Sequence, residues 1–144
     1  MKPFFSLVIP YHNDEDSIGR LVQSIFASKR APLYEIIIVD DGSKSQLKLE
    51  TLKLKLSLRK IKVTIIRLKI NKGPAAARNR GVREAKGKFV VFFDSDVVLF
   101  SDALANLAKI YLEDPDIAAV TGVWVKEQRT KAFFPNFKAL RDWS

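Results

Sequence analysis

The sequence predicts an α/β fold, a three-layer α/β/α sandwich around a mainly parallel sheet, and three observations carry that prediction. Apolar runs rich in Val, Ile and Phe recur at residues 4–9, 35–39, 62–66 and 88–93. They lack the alternation of a half-exposed strand, which suits strands covered on both faces of a parallel sheet. Between them lie segments whose apolar residues fall at helical spacing, so strand and helix alternate along the chain. Finally, 144 residues make a domain of ordinary size, able to bury roughly two-thirds of its unfolded surface. Residues 1–144 are read as a single domain.

The first strand, 4–9, runs into Pro10. Residues 16–28 then place Ile18, Leu21, Val22, Ile25 and Phe26 on one helical face, with Asn13 or Asp14 as the cap. The second strand, 35–39, leads to a segment at 45–58 in which Leu52, Leu54, Leu56 and Leu58 alternate with Lys53, Lys55 and Ser57, the period of a strand. It is nevertheless expected to be a helix, because Leu and Lys favour helix and a crossover between parallel strands needs an element of that length. Leu49, Leu52 and Leu56 would face the sheet, with Leu47, Leu54 and Leu58 widening the stripe. After the third strand, 62–66, comes an alanine-rich helix, 73–85, opened by Pro74 and followed by Gly87. The fourth strand, 88–93, precedes a helix over 101–111 capped by Ser101, with Leu104, Leu107, Ala108 and Tyr111 on one side. A fifth strand is expected over 118–125. Phe133, Phe134, Phe137, Leu140 and Trp143 then crowd a chain end that reads as cut from something larger.

Composition narrows the chemistry. The chain has no cysteine, which excludes disulfides, thiolate metal sites and a thiol nucleophile. MKPFFSLVIP is broken by Pro10 and shows no small-residue cleavage site, so it is not read as a signal peptide. The longest apolar runs fall far short of the ~20 residues that span a bilayer. The net charge of +9 is concentrated between Lys44 and Lys86, where the basic residues are opposed only by Glu50 and Glu84. A solvated helix face accounts for much of it, and no aromatic groups are interleaved for stacking on nucleic acid.

The residues with chemistry sit where the first, second, third and fourth strands end, the edge at which open α/β sheets bind ligands. Asp40-Asp41-Gly42-Ser43 follows the second strand and Asp94-Ser95-Asp96 the fourth. Four carboxylates gathered there call for a cation or hydrogen-bond donors. Asp94 and Asp96, two apart, share one side if the backbone stays extended, and hard oxygen ligands of this kind suit Mg²⁺ or Mn²⁺ with a diphosphate completing the shell. The same triplet also serves as a turn or cap, and the spacing does not choose between the two. Asp40-Asp41-Gly42-Ser43 is equally open: a turn with a cap, or an acceptor for nucleobase or ribose donors. Lys72, before a helix start, and Arg78, one turn in, could hold phosphate, or Arg78 could neutralise Asp94 or Asp96, or do each in turn. His12, the only histidine, follows Pro10 and Tyr11 into the crevice and has no evident partner for general base work.

Taken together, SLVIPYHNDEDSIGRLVQSI, EIIIVDDGSKS, NKGPAAARNRGVREAKGKFVVFFDSD and AAVTG strongly resemble the N-terminal part of family 2 glycosyltransferases, in that family's order and spacing over about residues 4–124. The resemblance implies a Rossmann-like GT-A fold, here truncated on its C-terminal side. It implies that Pro10, Tyr11, His12 and Asn13, with Asp40 and Asp41, surround the nucleoside, Asp41 touching the base, and that Lys72 and Arg78 serve the phosphates and the acidic cluster. Asp94-Ser95-Asp96 resembles the family's D-x-D motif, in which Asp96 binds Mn²⁺ or Mg²⁺ and Asp94 faces the ribose or the metal's water. His12 stands where many members carry tyrosine.

Such enzymes invert the anomeric centre by direct displacement, a carboxylate base deprotonating the acceptor hydroxyl. That base usually lies downstream of the matched region, so the catalytic residue is unassigned and little activity is expected of this chain alone. The partners implied are a nucleoside-diphosphate sugar, a UDP-sugar by family default, and an acceptor saccharide or lipid-linked glycan, with no nucleic acid. Peripheral membrane contact and homo-oligomer formation stay open. The expected location is the cytoplasm or the cytoplasmic face of the membrane. The competing reading is a catalytically silent nucleotide-sugar-binding or interaction module.

Overall fold

The computed structural model describes residues 4–28, 32, 34–45, 47 and 61–122. The order is β1 (Phe5–Tyr11), α1 (Glu15–Ala27), β2 (Tyr34–Asp40), β3 (Lys62–Arg67), α2 (Pro74–Val82), β4 (Phe89–Phe92) and α3 (Ala103–Glu113). The four strands form one parallel sheet in the order β3-β2-β1-β4. The chain moves outward from β1 to β3, then returns to the other side of β1 for β4. The β1/β4 boundary is therefore the switch point at which such sheets open a crevice.

Alternate residues of β1 serve two cores, which makes three layers. Phe5, Leu7, Ile9 and Tyr11 pack with Ile36 and Ile38 against Ile18, Leu21, Val22 and Ile25 of α1 and Leu104 and Ala108 of α3. Val8 faces the other way, with Ile37, Val39 and Ala77 of α2. Only small residues let α2 approach this closely: Ala77 is fully buried, and a Cβ on Gly81 would collide with Val8. Both faces of β1 and β2 are covered, hence their unbroken apolar runs.

β1 extends two residues past its expected end, through Pro10 to Tyr11. In a parallel strand a residue's N–H and C=O point to the same neighbour. Val8 turns its carbonyl to β4, accepting from Phe93 at 3.2 Å, so Pro10, two residues on, has its imide nitrogen on that side as well. With no proton there, the β1/β4 ladder cannot continue. Pairing to β2 does continue, Pro10 opposite Val39 and Tyr11 opposite Asp40. Pro10 thus marks the mouth of the crevice.

Helix starts follow their caps. Asp14 caps α1, its carboxylate accepting from the Ser17 N–H at 3.1 Å. α3 begins later than expected, since the Asp102 carbonyl rather than that of Ser101 accepts the first helical bond, from Asn106. The strand expected over 118–125 is not formed at residues 117–122, which are not in a strand; Ala118, Ala119 and Gly122 offer little side chain to pack there. Residues 123–125, the expected helix beyond Leu47 and the apolar C-terminal segment lie outside the described residues. Leu47 itself is buried in the α1-side core. Residues 1–113 and 114–144 separate into two compact units. Among the described residues no helix is long and apolar enough to cross a membrane.

Candidate functional site

The strand ends build two clusters. The first joins β1 to β2. The Asp41 N–H donates to the Tyr11 carbonyl at 2.8 Å, carrying the ladder past β2, and there the chain turns through Gly42 at φ +68°. Both aspartates are almost wholly buried, and the fold satisfies both. Asp40 accepts from the Ser43 N–H at 2.9 Å and lies 3.6 Å from the Arg67 guanidinium. Asp41 accepts from the Lys72 and Gly73 N–H groups at 2.8 and 2.7 Å, one on each oxygen, tying the loop after β3 to the end of β2. Arg67 also donates to the Ser43 carbonyl at 2.7 Å. Sequence reasoning gave Arg67 no role and named Ser43 only as the last residue of the Asp40-Asp41-Gly42-Ser43 motif. The pairing of 35–40 with 62–67 was the available signal, for it sets Arg67 directly opposite Asp40.

His12 and Asn13 lie over this turn, both exposed. Below them the Tyr11 hydroxyl is buried with no partner at hydrogen-bond distance among the described residues. Burial pushes its pKa up, as do the charges of Glu15 and Asp40, while the Ser43 hydroxyl and the Asp14 backbone nearby partly offset this. Asp14, the α1 cap, is held below the usual carboxylate range by its hydrogen bonds to Ser17.

The second cluster follows β4. Of the two forms the spacing left open for Asp94-Ser95-Asp96, the structure shows the turn, the Val97 N–H donating to the Asp94 carbonyl at 3.2 Å; the ladder that would keep it extended makes its last bond at Phe93. Arg78 of α2 pairs with Asp94 at 2.6 Å. Asp96 is exposed, and no group among the described residues is bonded to it. The Lys72 side chain is exposed too, and among the described residues no side chain caps the N-terminus of α2. No hydrogen bond or ion pair among the described residues links the two clusters.

Among the described residues no three His, Cys, Asp or Glu side chains surround a common point. Asp96 and Asp94 still offer two exposed carboxylates, and a small hard cation is commonly bound by one or two carboxylates together with phosphate and water. The donor set therefore fits Mg²⁺ or Mn²⁺ brought in with a diphosphate.

The family model described as "Glycosyl transferase family 2" matches residues 6–141. The chain is 34% identical over 123 residues to the poly(ribitol-phosphate) beta-glucosyltransferase of Bacillus spizizenii W23, covering 82% of this chain and 19% of that protein. It is similar to S. aureus TarS 1-349 in complex with UDP, at TM-score 0.66 and 27% identity over 92% of this chain and 40% of that one. It is also similar to the mannosyltransferase PcManGT of Pyrobaculum calidifontis in complex with GDP-Man and Mn²⁺, at TM-score 0.73 and 25% identity over 98% of this chain and 39% of that one. The chain spans 17% to 47% of the length of the curated relatives it matches.

Proposed function

Because the chain belongs to glycosyl transferase family 2, we propose that it holds the nucleoside diphosphate of a sugar donor at the carboxyl edge of its sheet, with a divalent cation, for inverting transfer to an acceptor hydroxyl. One observation carries this reading. Of the four strand-end carboxylates, the fold satisfies three internally and leaves Asp96 exposed beside the switch point, without a partner among the described residues.

Pro10 to Asn13, with Asp40 and Asp41, would frame the nucleoside, each Asp41 oxygen keeping a lone pair for the base beyond its one backbone donor. The open N–H groups at the start of α2 and the Lys72 ammonium would receive phosphate oxygens. Arg78 neutralises Asp94 while the site is empty and can pass to the diphosphate when that carboxylate is engaged. Asp96, with Asp94, would hold Mn²⁺ or Mg²⁺, which when bound would offset the charge that grows on the departing diphosphate. The proton of the acceptor goes to a carboxylate that we assign to none of the described residues. UDP in TarS and GDP-Man with Mn²⁺ in PcManGT support a nucleotide-sugar donor.

Calorimetric titration of UDP, GDP and dTDP, with Mn²⁺ and with EDTA, tests this. Binding of one nucleotide that requires Mn²⁺ and disappears in Asp96→Ala is expected. Binding indifferent to both the metal and the substitution would overturn the reading.

A further inference from the structure

His12 has partners on both ring nitrogens. Nδ1 lies 2.8 Å from the Asp41 carbonyl oxygen, which can only accept, so Nδ1 carries the proton. Nε2 lies 2.8 Å from Nδ2 of Asn13. The Asn13 amide cannot be turned around, because its Oδ1 accepts from the Lys44 N–H at 2.8 Å; Nδ2 therefore donates to Nε2. The Asn13 N–H donates to the Ser43 hydroxyl at 2.9 Å, and the residue adopts φ +53°, a conformation asparagine tolerates better than most residues. The β1 loop is thus bolted to the β2 loop through one imidazole in one tautomer.

We propose that His12 is a positioning residue: its neutral, Nδ1-protonated ring bridges the Asp41 carbonyl to the Asn13 amide, fixing the two loops that frame the nucleoside and leaving neither nitrogen for the ligand. This rests on the nucleotide-binding reading above, but makes its own demand. Protonation at Nε2 would set donor against donor, and reversing the Asn13 amide to relieve it would strand the Lys44 N–H.

Two variants separate positioning from base stacking. His12→Gln can donate to Asp41 and accept from Asn13; His12→Phe keeps a flat ring and loses both bonds. With Mn²⁺ and UDP, or GDP if that is the nucleotide bound, His12→Gln is expected to bind about tenfold more tightly than His12→Phe. Tight binding by His12→Phe with weak binding by His12→Gln would overturn the proposal.

Failure of wild type to bind any nucleotide would remove the functional reading alone, because the bridge also has a ligand-free readout. With a single histidine in the chain, a long-range ¹H–¹⁵N spectrum shows one ring. The Nδ1–H tautomer is expected at about pH 8; the Nε2–H tautomer would overturn the proposal by itself.

Discussion

At Gly42 the backbone sits at φ +68°, and a Cβ built there would lie 2.6 Å from the Asn71 nitrogen and 2.7 Å from the Ile70 carbonyl carbon. Backbone strain and collision act together, so Gly42→Ala should destabilise the chain by about 1–3 kcal/mol, read from the urea midpoint. Asp41→Ala removes the acceptor of two backbone N–H groups and should lose about 2–3 kcal/mol. The sequence showed both residues in place, since a doubled aspartate before a glycine at a strand end is a visible motif. It did not show that the carboxylates turn inward to hold the protein's own loop, because Lys72 and Gly73 lie thirty-odd residues away and their amides leave no mark in a side-chain pattern.

The elements were legible wherever a strand is covered on both faces, as with β1 and β2, or a helix shows one clear stripe, as with α1 and α3. Ends were less so: β1 runs through a proline because the neighbour on that side has stopped, and a single chain cannot announce where its neighbour stops. The packing of α2 was also hidden, being carried by Ala77 and Gly81 rather than by large apolar groups. Gly81→Ala would force α2 away from Val8 and should cost about 1–3 kcal/mol in the same melt. α1 offers a test by pH. The Asp14 carboxyl is held below its ordinary range by Ser17, so its stabilisation is present above the unfolded pKa, near pH 4, and is lost as pH falls through the lowered folded value. In Asp14→Asn, which caps without titrating, the urea midpoint should lose that part of its decline on acidification.

For the molecule as a whole, alternation of strand and helix predicted a layered parallel sheet, whereas the strand order β3-β2-β1-β4 follows from crossovers that periodicity does not encode. The order matters most, since it brings Asp94 and Asp96 beside the β1 end. Two of the four strand-end carboxylates are neutralised internally, Asp40 by Arg67 and Asp94 by Arg78, so the fold can be stable without a cation. Nucleotide with Mn²⁺ at a hundredfold excess over its Kd should then add about 2.7 kcal/mol of stability. In a thermal melt this appears as an upward shift that Asp96→Ala lacks, although the variant's own melting temperature stays that of wild type.

The carboxylate that grips Lys72 and Gly73 also sets a clock. Amides in a surface loop ordinarily trade their protons for deuterium almost at once, yet these two can do so only when the loop leaves Asp41. A peptide covering residues 70–74 should therefore take up label on the slow schedule of the neighbouring strands. The phosphate side of the crevice is then cast before any ligand arrives, and little ordering entropy remains for the ligand to supply.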